Sequence, residues 1–318
     1  MKRRCQNVEC YVDDGESCAL GHPSLDACPR WTTGEPEPGV DTTTSSDAAR
    51  VPWSGSALGP ADLVNLGGRA RTLLIAVLGA HDAGKTTLLL GNYLALLRGG
   101  SLAGADFSST LTFGAWESLA AWVRFDDAAR TPRFPPHTPR GISRVPGLLH
   151  LALRNKKDEF RDVLLTDAPG EWFSRWTIAE DAGDAEGARW IVEHADAFLV
   201  LADCQRLAGD ERGPARSGLR MLLERLGNHV GERPAALVWA KSDHHPPAEI
   251  RKAIRRTLAE HLPRATEVES TTDDPRTVVT ALATVLRLAW TSRPGARIVE
   301  PVLDHTPFAA FRGIHASP

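Results

Sequence analysis

Apolar residues along this chain keep two rhythms, and the two alternate. Residues 72–78 form a continuous, β-leaning apolar run of the kind a strand buried on both faces shows. Residues 86–97 then carry apolar side chains at helical spacing, with Arg98, Gly99 and Gly100 as the stop. Helical spacing returns over 114–126. Two apolar runs, 148–154 and 160–166, are joined by the polar turn 155–159, which is a hairpin signal. Further on, 188–194 reads as the end of a helix, 197–202 as a buried strand, 218–226 as a helix and 235–240 as another buried strand. An amphipathic helix over 250–261, a strand over 266–270 and a closing helix over 277–290 complete the pattern. Strands alternating with helices predict an α/β fold, a doubly wound and mostly parallel sheet with an antiparallel hairpin at its edge.

Outside this block the pattern breaks. Residues 31–60 are rich in Pro, Gly, Thr, Ser and acidic residues and read as a linker, with Trp53 and a short helix over 61–66 as candidates to dock on the main domain. Residues 291–318 show no clear period and read as a tail. That leaves residues 61–290 as the folded domain and 1–30 as a separate cysteine-rich module. Of the five cysteines, Cys5, Cys10, Cys18 and Cys28 all fall in that module. In a cytoplasmic protein such a cluster points to metal, so a structural Zn2+ on four thiolates is expected, with His22 as a substitute ligand; a disulfide-linked or disordered tail is the alternative. Cys204, inside an apolar run, reads as a buried small hydrophobe.

Composition narrows the classes. A formal net charge of −3 argues against a dedicated nucleic-acid binder. No apolar run approaches the ~18 residues of a membrane span, and Met1, Lys2, Arg3 and Arg4 lead into Cys5 and Asn7 instead of an apolar region. A cytoplasmic location without a membrane span is therefore expected.

The chemistry concentrates in the turn after the first strand. Gly79, Ala80, His81, Asp82, Ala83, Gly84, Lys85, Thr86 and Thr87 fit G-x-x-x-x-G-K-[ST], and they sit between a strand and a helix as that pattern requires. Wrapping a phosphate chain with backbone N–H groups needs glycines for the turn and for close approach, and the new helix adds the positive end of its dipole. Lys85 would reach the outer phosphates as a point charge, and the Thr86 hydroxyl would ligate Mg2+. The fold is thus expected to be that of a P-loop NTPase. In a doubly wound sheet the loops at the carboxyl ends of the strands meet in one crevice. Two more loops carry suitable chemistry: Asp167, Ala168, Pro169, Gly170 and Glu171 after the hairpin, and Lys241, Ser242 and Asp243 after the strand 235–240. The stretch of about fifty residues between the first helix and the hairpin is long for a connection and so reads as functional. It holds the cluster Ser108, Ser109, Thr110, Leu111 and Thr112, and a proline- and arginine-rich part over 131–146.

These motifs in this order resemble a P-loop GTPase of the TRAFAC class, which contains the Ras-like and translation-factor GTPases, over roughly residues 71–290. Asp167 to Gly170 stand as D-x-x-G, and Lys241 to Asp243 as the K-x-D part of the guanine motif. The resemblance implies GTP and GDP as ligands and slow, Mg2+-dependent hydrolysis. Asp167 would hold Mg2+ through water, the Gly170 N–H would sense the γ-phosphate, and Thr112 or Thr110, Thr112 preferred, would be the first-switch threonine. Asp243 would select guanine, because a carboxylate accepts from both the ring N–H and the exocyclic amine, which adenine does not offer. Lys241 would lay its stem along the base, and Ser270 would belong to the last base-contacting loop. Ala240 departs from the family's usual Asn or Thr and removes one polar contact. Glu171 stands where many such enzymes place a Gln or His to orient the attacking water. His81 replaces a glycine of Ras-like enzymes, where bulk would obstruct an arginine supplied in trans, leaving Arg175 or Arg189 to act in cis. Asp82 matches the translation-factor loop and would help bind a monovalent cation. More narrowly, the Ser/Thr cluster followed by Gly114, Ala115, Trp116 and Glu117, the run from Asp167 to Phe173 and the cysteine-bearing N-terminus resemble the prokaryotic double-GTPase family, associated with predicted biological-conflict gene neighbourhoods. That resemblance implies a switch acting on effector proteins encoded nearby. Two alternatives stay open: a P-loop ATPase or kinase, and a non-hydrolysing zinc-bearing adaptor that binds nucleotide.

Overall fold

The computed structural model describes residues 4–5, 31–32, 57–66, 71–123 and 147–291. The chain divides into two units, Met1–Arg50 and Val51–Pro318. In the first, β1 (Arg4–Cys5) pairs antiparallel with β2 (Trp31–Thr32), so the strand β2 occupies positions read above as the start of the linker. Cys10, Cys18, Cys28, His22, the side chain of Cys5 and Trp53 lie outside the described residues, and the zinc expectation lies there with them.

The second unit is built on one eight-stranded sheet. Its strands are β3 (Arg71–Gly79), β4 (Ser101–Leu102), β5 (Ala105–Ser109), β6 (Gly147–Asn155), β7 (Phe160–Asp167), β8 (Ala197–Asp203), β9 (Ala235–Ala240) and β10 (Thr266–Ser270). They lie in the order β10-β9-β8-β3-β7-β6-β5-β4. From β10 to β7 every pairing is parallel, and from β7 to β4 every pairing is antiparallel. The doubly wound architecture with an antiparallel edge is thus present. The edge is longer than the hairpin the sequence announces, because β4 and β5 extend it.

Side chains alternate across the sheet, so β3 sends Leu73, Ile75 and Val77 into one core and Leu74, Ala76 and Leu78 into the other. The first core is closed by α1 (Lys85–Leu97), α2 (Phe113–Ala120) and α8 (Pro275–Thr291). The second is closed by α3 (Gly170–Ile178), α4 (Glu186–His194), α6 (Arg212–Val230) and α7 (Ala248–His261). A short helix, α5 (Cys204–Ala208), leads out of β8. Cys204 is fully buried in the second core, and burial pushes its thiol pKa up to about 11. Before the sheet, a 3-10 turn over Pro60–Asn65 takes the place of the short helix expected there, and Leu58 bonds to Leu148 of β6 in an antiparallel bridge.

Two helices depart from the sequence reading. α3 starts directly at Gly170, where no helix was expected. α6 starts at Arg212, well before position 218, because a proline in the first helical turn, Pro214, removes no needed hydrogen bond. For the site, the main consequence of the topology is that β7, β3, β8, β9 and β10 all end at one edge. The antiparallel β6 begins there too, since Gly147 pairs with Asp167.

Candidate functional site

At that edge lies a cleft of about 360 Å³, within the usual range for small-molecule sites. Its walls come from five strand ends. The β3–α1 loop supplies the residues from His81 to Thr87, and the end of β7 supplies Ala168, Pro169, Gly170 and Glu171. Gln205 follows β8. Ala240, Lys241, Asp243 and His244 follow β9, and Ser270, Thr271 and Thr272 close β10.

The loop after β3 is shaped by backbone conformations that its composition permits. Gly84 caps α1 with φ +89°, a left-handed value that glycine adopts without strain, and Asp82 sits at φ +59°. Lys85 folds back under the loop, its Nζ donating to the carbonyls of Gly79 at 3.1 Å and Ala80 at 2.8 Å. Burial brings the Lys85 pKa down to about 8, opposed by the carboxylates of Asp167, Glu171 and Asp82. A buried ammonium among carboxylates, beneath a loop opening on a cleft, is an arrangement that a polyanion would complement.

Next to it, the Thr86 hydroxyl donates to Asp167 Oδ1 at 2.9 Å. Strand β7 delivers that aspartate at its last position and β3 delivers the loop, so residues distant in sequence meet because the strands are parallel neighbours. Gly170 then approaches the phosphate loop so closely that a Cβ built on it would lie 2.3 Å from the His81 nitrogen. Glu171, in the first turn of α3, reaches His81 across this contact, with Oε1 at 3.3 Å from Nδ1.

The other end of the cleft is held by a second network. Lys241, at φ +56°, places its Nζ 3.0 Å from Asp203 Oδ2 and 3.1 Å from Gln205 Oε1. Asp203 also caps α5 by accepting from Arg206 N. Asp82, expected to help hold a monovalent cation, faces the same Lys241 ammonium at 3.7 Å. Thr271 Oγ1 donates to Asp243 Oδ1 at 2.8 Å, and that bond, with His244 beside it, holds the Asp243 carboxyl below the usual carboxylate range. Ser270 is buried, and its carbonyl accepts from Ser242 N.

The residues predicted from sequence are therefore not all in one place. Most line the cleft, with Gly79, Ala80 and Asp167 directly behind its wall. Thr110 and Thr112 lie apart, bonded to His150 of β6: the fully buried Thr112 Oγ1 accepts from His150 N at 2.9 Å, and Thr110 Oγ1 donates to the His150 carbonyl. Arg175 and Arg189 do not line the cleft either, Arg189 donating to the Glu180 carbonyl. Sequence reasoning missed Thr271, which holds Asp243, and Asp203 and Gln205, which hold Lys241. The rule that strand ends converge would have pointed to the end of β8, and Thr271 was adjacent to the residue chosen.

Among known families, the model described as Double-GTPase 2 matches residues 73–291, from within β3 to the end of α8. No curated protein matches the chain.

Proposed function

The chain belongs to the Double-GTPase 2 family, and from that premise we propose that it is a GTP-binding switch which hydrolyses GTP to GDP and phosphate with Mg2+ and reports the γ-phosphate to a partner protein. The observation that carries this reading is the convergence, on one cleft, of a phosphate-type loop over a buried lysine and, at the far end, an acidic residue held by a hydrogen bond from Thr271.

The amides of the loop and the N-terminus of α1 would bind the phosphates, with the Lys85 ammonium set against them. Thr86 and Asp167 offer a hydroxyl and a carboxylate oxygen 2.9 Å apart, the hard oxygen ligands that Mg2+ takes. When bound there, Mg2+ would offset charge on the β- and γ-phosphate oxygens. Asp243, with one oxygen engaged by Thr271, presents its carboxylate for the guanine N–H groups, and Lys241 is kept beside it by Asp203 and Gln205. Gly170 begins α3, so an amide that responds to the γ-phosphate would move a whole helix. A first-switch role for Thr112 requires its hydroxyl to leave the His150 N–H, at a cost of about 1–3 kcal/mol for the unpaired buried donor, which contacts to GTP would have to offset.

Calorimetric titration of GTP, GDP and ATP in the presence of Mg2+ tests the nucleotide. GTP is expected to bind at least about 100-fold more tightly than ATP, and equal affinities would sink the guanine assignment in favour of an ATPase or kinase. Asp243→Asn is expected to lose GTP affinity and gain affinity for xanthosine triphosphate. Phosphate release at background level from GTP-loaded protein would favour the non-hydrolysing adaptor.

A further inference from the structure

His81 and Glu171 stand on opposite walls of the cleft mouth, one on the phosphate loop and one in the first turn of α3. Their separation of 3.3 Å is set by backbone packing, because the α3 N-terminus rests on the peptide between Ala80 and His81 at Gly170. Lys85 pins the same loop from beneath through the Gly79 and Ala80 carbonyls. The two side chains remain 49% and 32% exposed. A polar contact that open to water adds little to stability, so the fold alone gives no reason for it. Beneath the pair, the carboxylates of Asp167, Glu171 and Asp82 act on the Lys85 ammonium, and Asp82 also faces Lys241 at 3.7 Å. Among the described residues, none that lines the cleft is an arginine.

Resting on the GTPase reading, we propose that His81 is the positioning residue for Glu171. The Nδ1–H of His81 holds the Glu171 carboxylate over the mouth of the phosphate loop, where it accepts a hydrogen bond from the attacking water. The water oxygen bonds to the γ-phosphorus, and the bond from that phosphorus to the bridging oxygen breaks with its electron pair leaving on GDP. The water proton passes through Glu171 to the released phosphate. A side chain at position 81 thus supplies in cis the orientation that would otherwise come from a partner's residue.

The test is single-turnover hydrolysis by the full chain loaded with GTP, together with GDP affinity, for wild type, His81→Ala, His81→Asn, Glu171→Ala and the double variant His81→Ala/Glu171→Ala. His81→Ala is expected to slow hydrolysis on the order of 10- to 100-fold, the scale of a lost orienting contact, while GDP affinity stays within about threefold. The double variant is expected to be no slower than Glu171→Ala, as for two residues acting as one unit. His81→Asn, whose amide also donates to the carboxylate, is expected to recover most of the rate. Hydrolysis by His81→Ala at or above the wild-type rate, multiplicative losses in the double variant, or no recovery with Asn would each overturn the proposal. Wild type that binds GTP without ever hydrolysing it overturns it as well. Failure of wild type to bind GTP at all is seen in the affinity measurement first, and sinks the GTPase reading itself.

Discussion

Two polar clusters sit on the same sheet and differ in almost every respect. The cluster around His150 is sealed: His150 is fully buried and its Nδ1 accepts from Leu111 N, so Nε2 carries the proton and donates to Asp162 at 3.1 Å. Its backbone serves Thr110, Thr112 and the Trp116 indole. The cluster around Lys85 instead opens on a cleft, and its side chains come from loops at separate strand ends. Both obey the rule that buried polar groups need partners. In the first, the protein supplies every partner and the result is a rivet joining the β5–α2 segment to β6 and β7. In the second, carboxylates, an ammonium and loop amides converge on open space, which is the mark of a binding site. Polar chemistry in the interior thus tells little about function until its geometry shows whether its valences are already spent.

Variants that separate the two clusters put this contrast at risk. The largest effect is expected for His150→Ala, which leaves the buried Asp162 carboxylate and the partly buried Leu111 N–H without this partner. It is expected to lower unfolding free energy by about 3–5 kcal/mol in denaturant titration, with nucleotide affinity of the folded protein little changed; a large affinity loss with unaltered stability would mean that the rivet belongs to the site. Lys85→Ala is the converse case. GTP affinity is expected to fall on the order of 100-fold in calorimetry, with a smaller loss of stability than for His150→Ala, since removing a desolvated charge offsets part of the lost bonds to the Gly79 and Ala80 carbonyls. Thr271→Ala has the smallest effect, a roughly tenfold loss of GTP affinity, the scale of one hydrogen bond to a charged group, with ATP binding unaffected. Equal losses for both nucleotides would show that Thr271 only braces the β10 end.

The strands over residues 72–78, 197–202 and 235–240 were legible because a strand buried on both faces has to be continuously apolar. Strand β5 was not, since its burial alternates weakly along Ala105–Ser109 and its pairing with β6 makes it a strand. Helix α3 was hidden because it starts at a glycine behind Pro169 and has polar Ser174, Arg175 and Thr177 among its aromatics. The Ser/Thr cluster looked like site chemistry, and nothing local distinguishes a hydroxyl that awaits a metal from one that caps a buried histidine.

Composition and spacing were sufficient for the strand, glycine loop and helix around Gly79 to Thr87 and for the alternating architecture, because backbone wrapping of an anion and burial of parallel strands each demand fixed residue types at fixed intervals. Pairings were beyond their reach: Thr86 with Asp167, His81 with Glu171, Asp243 with Thr271 in preference to Ser270, and Thr112 with His150 away from the cleft. Each depends on the order and register of the strands carrying the two partners. That order follows from the packing of both cores at once, which no local stretch of sequence encodes.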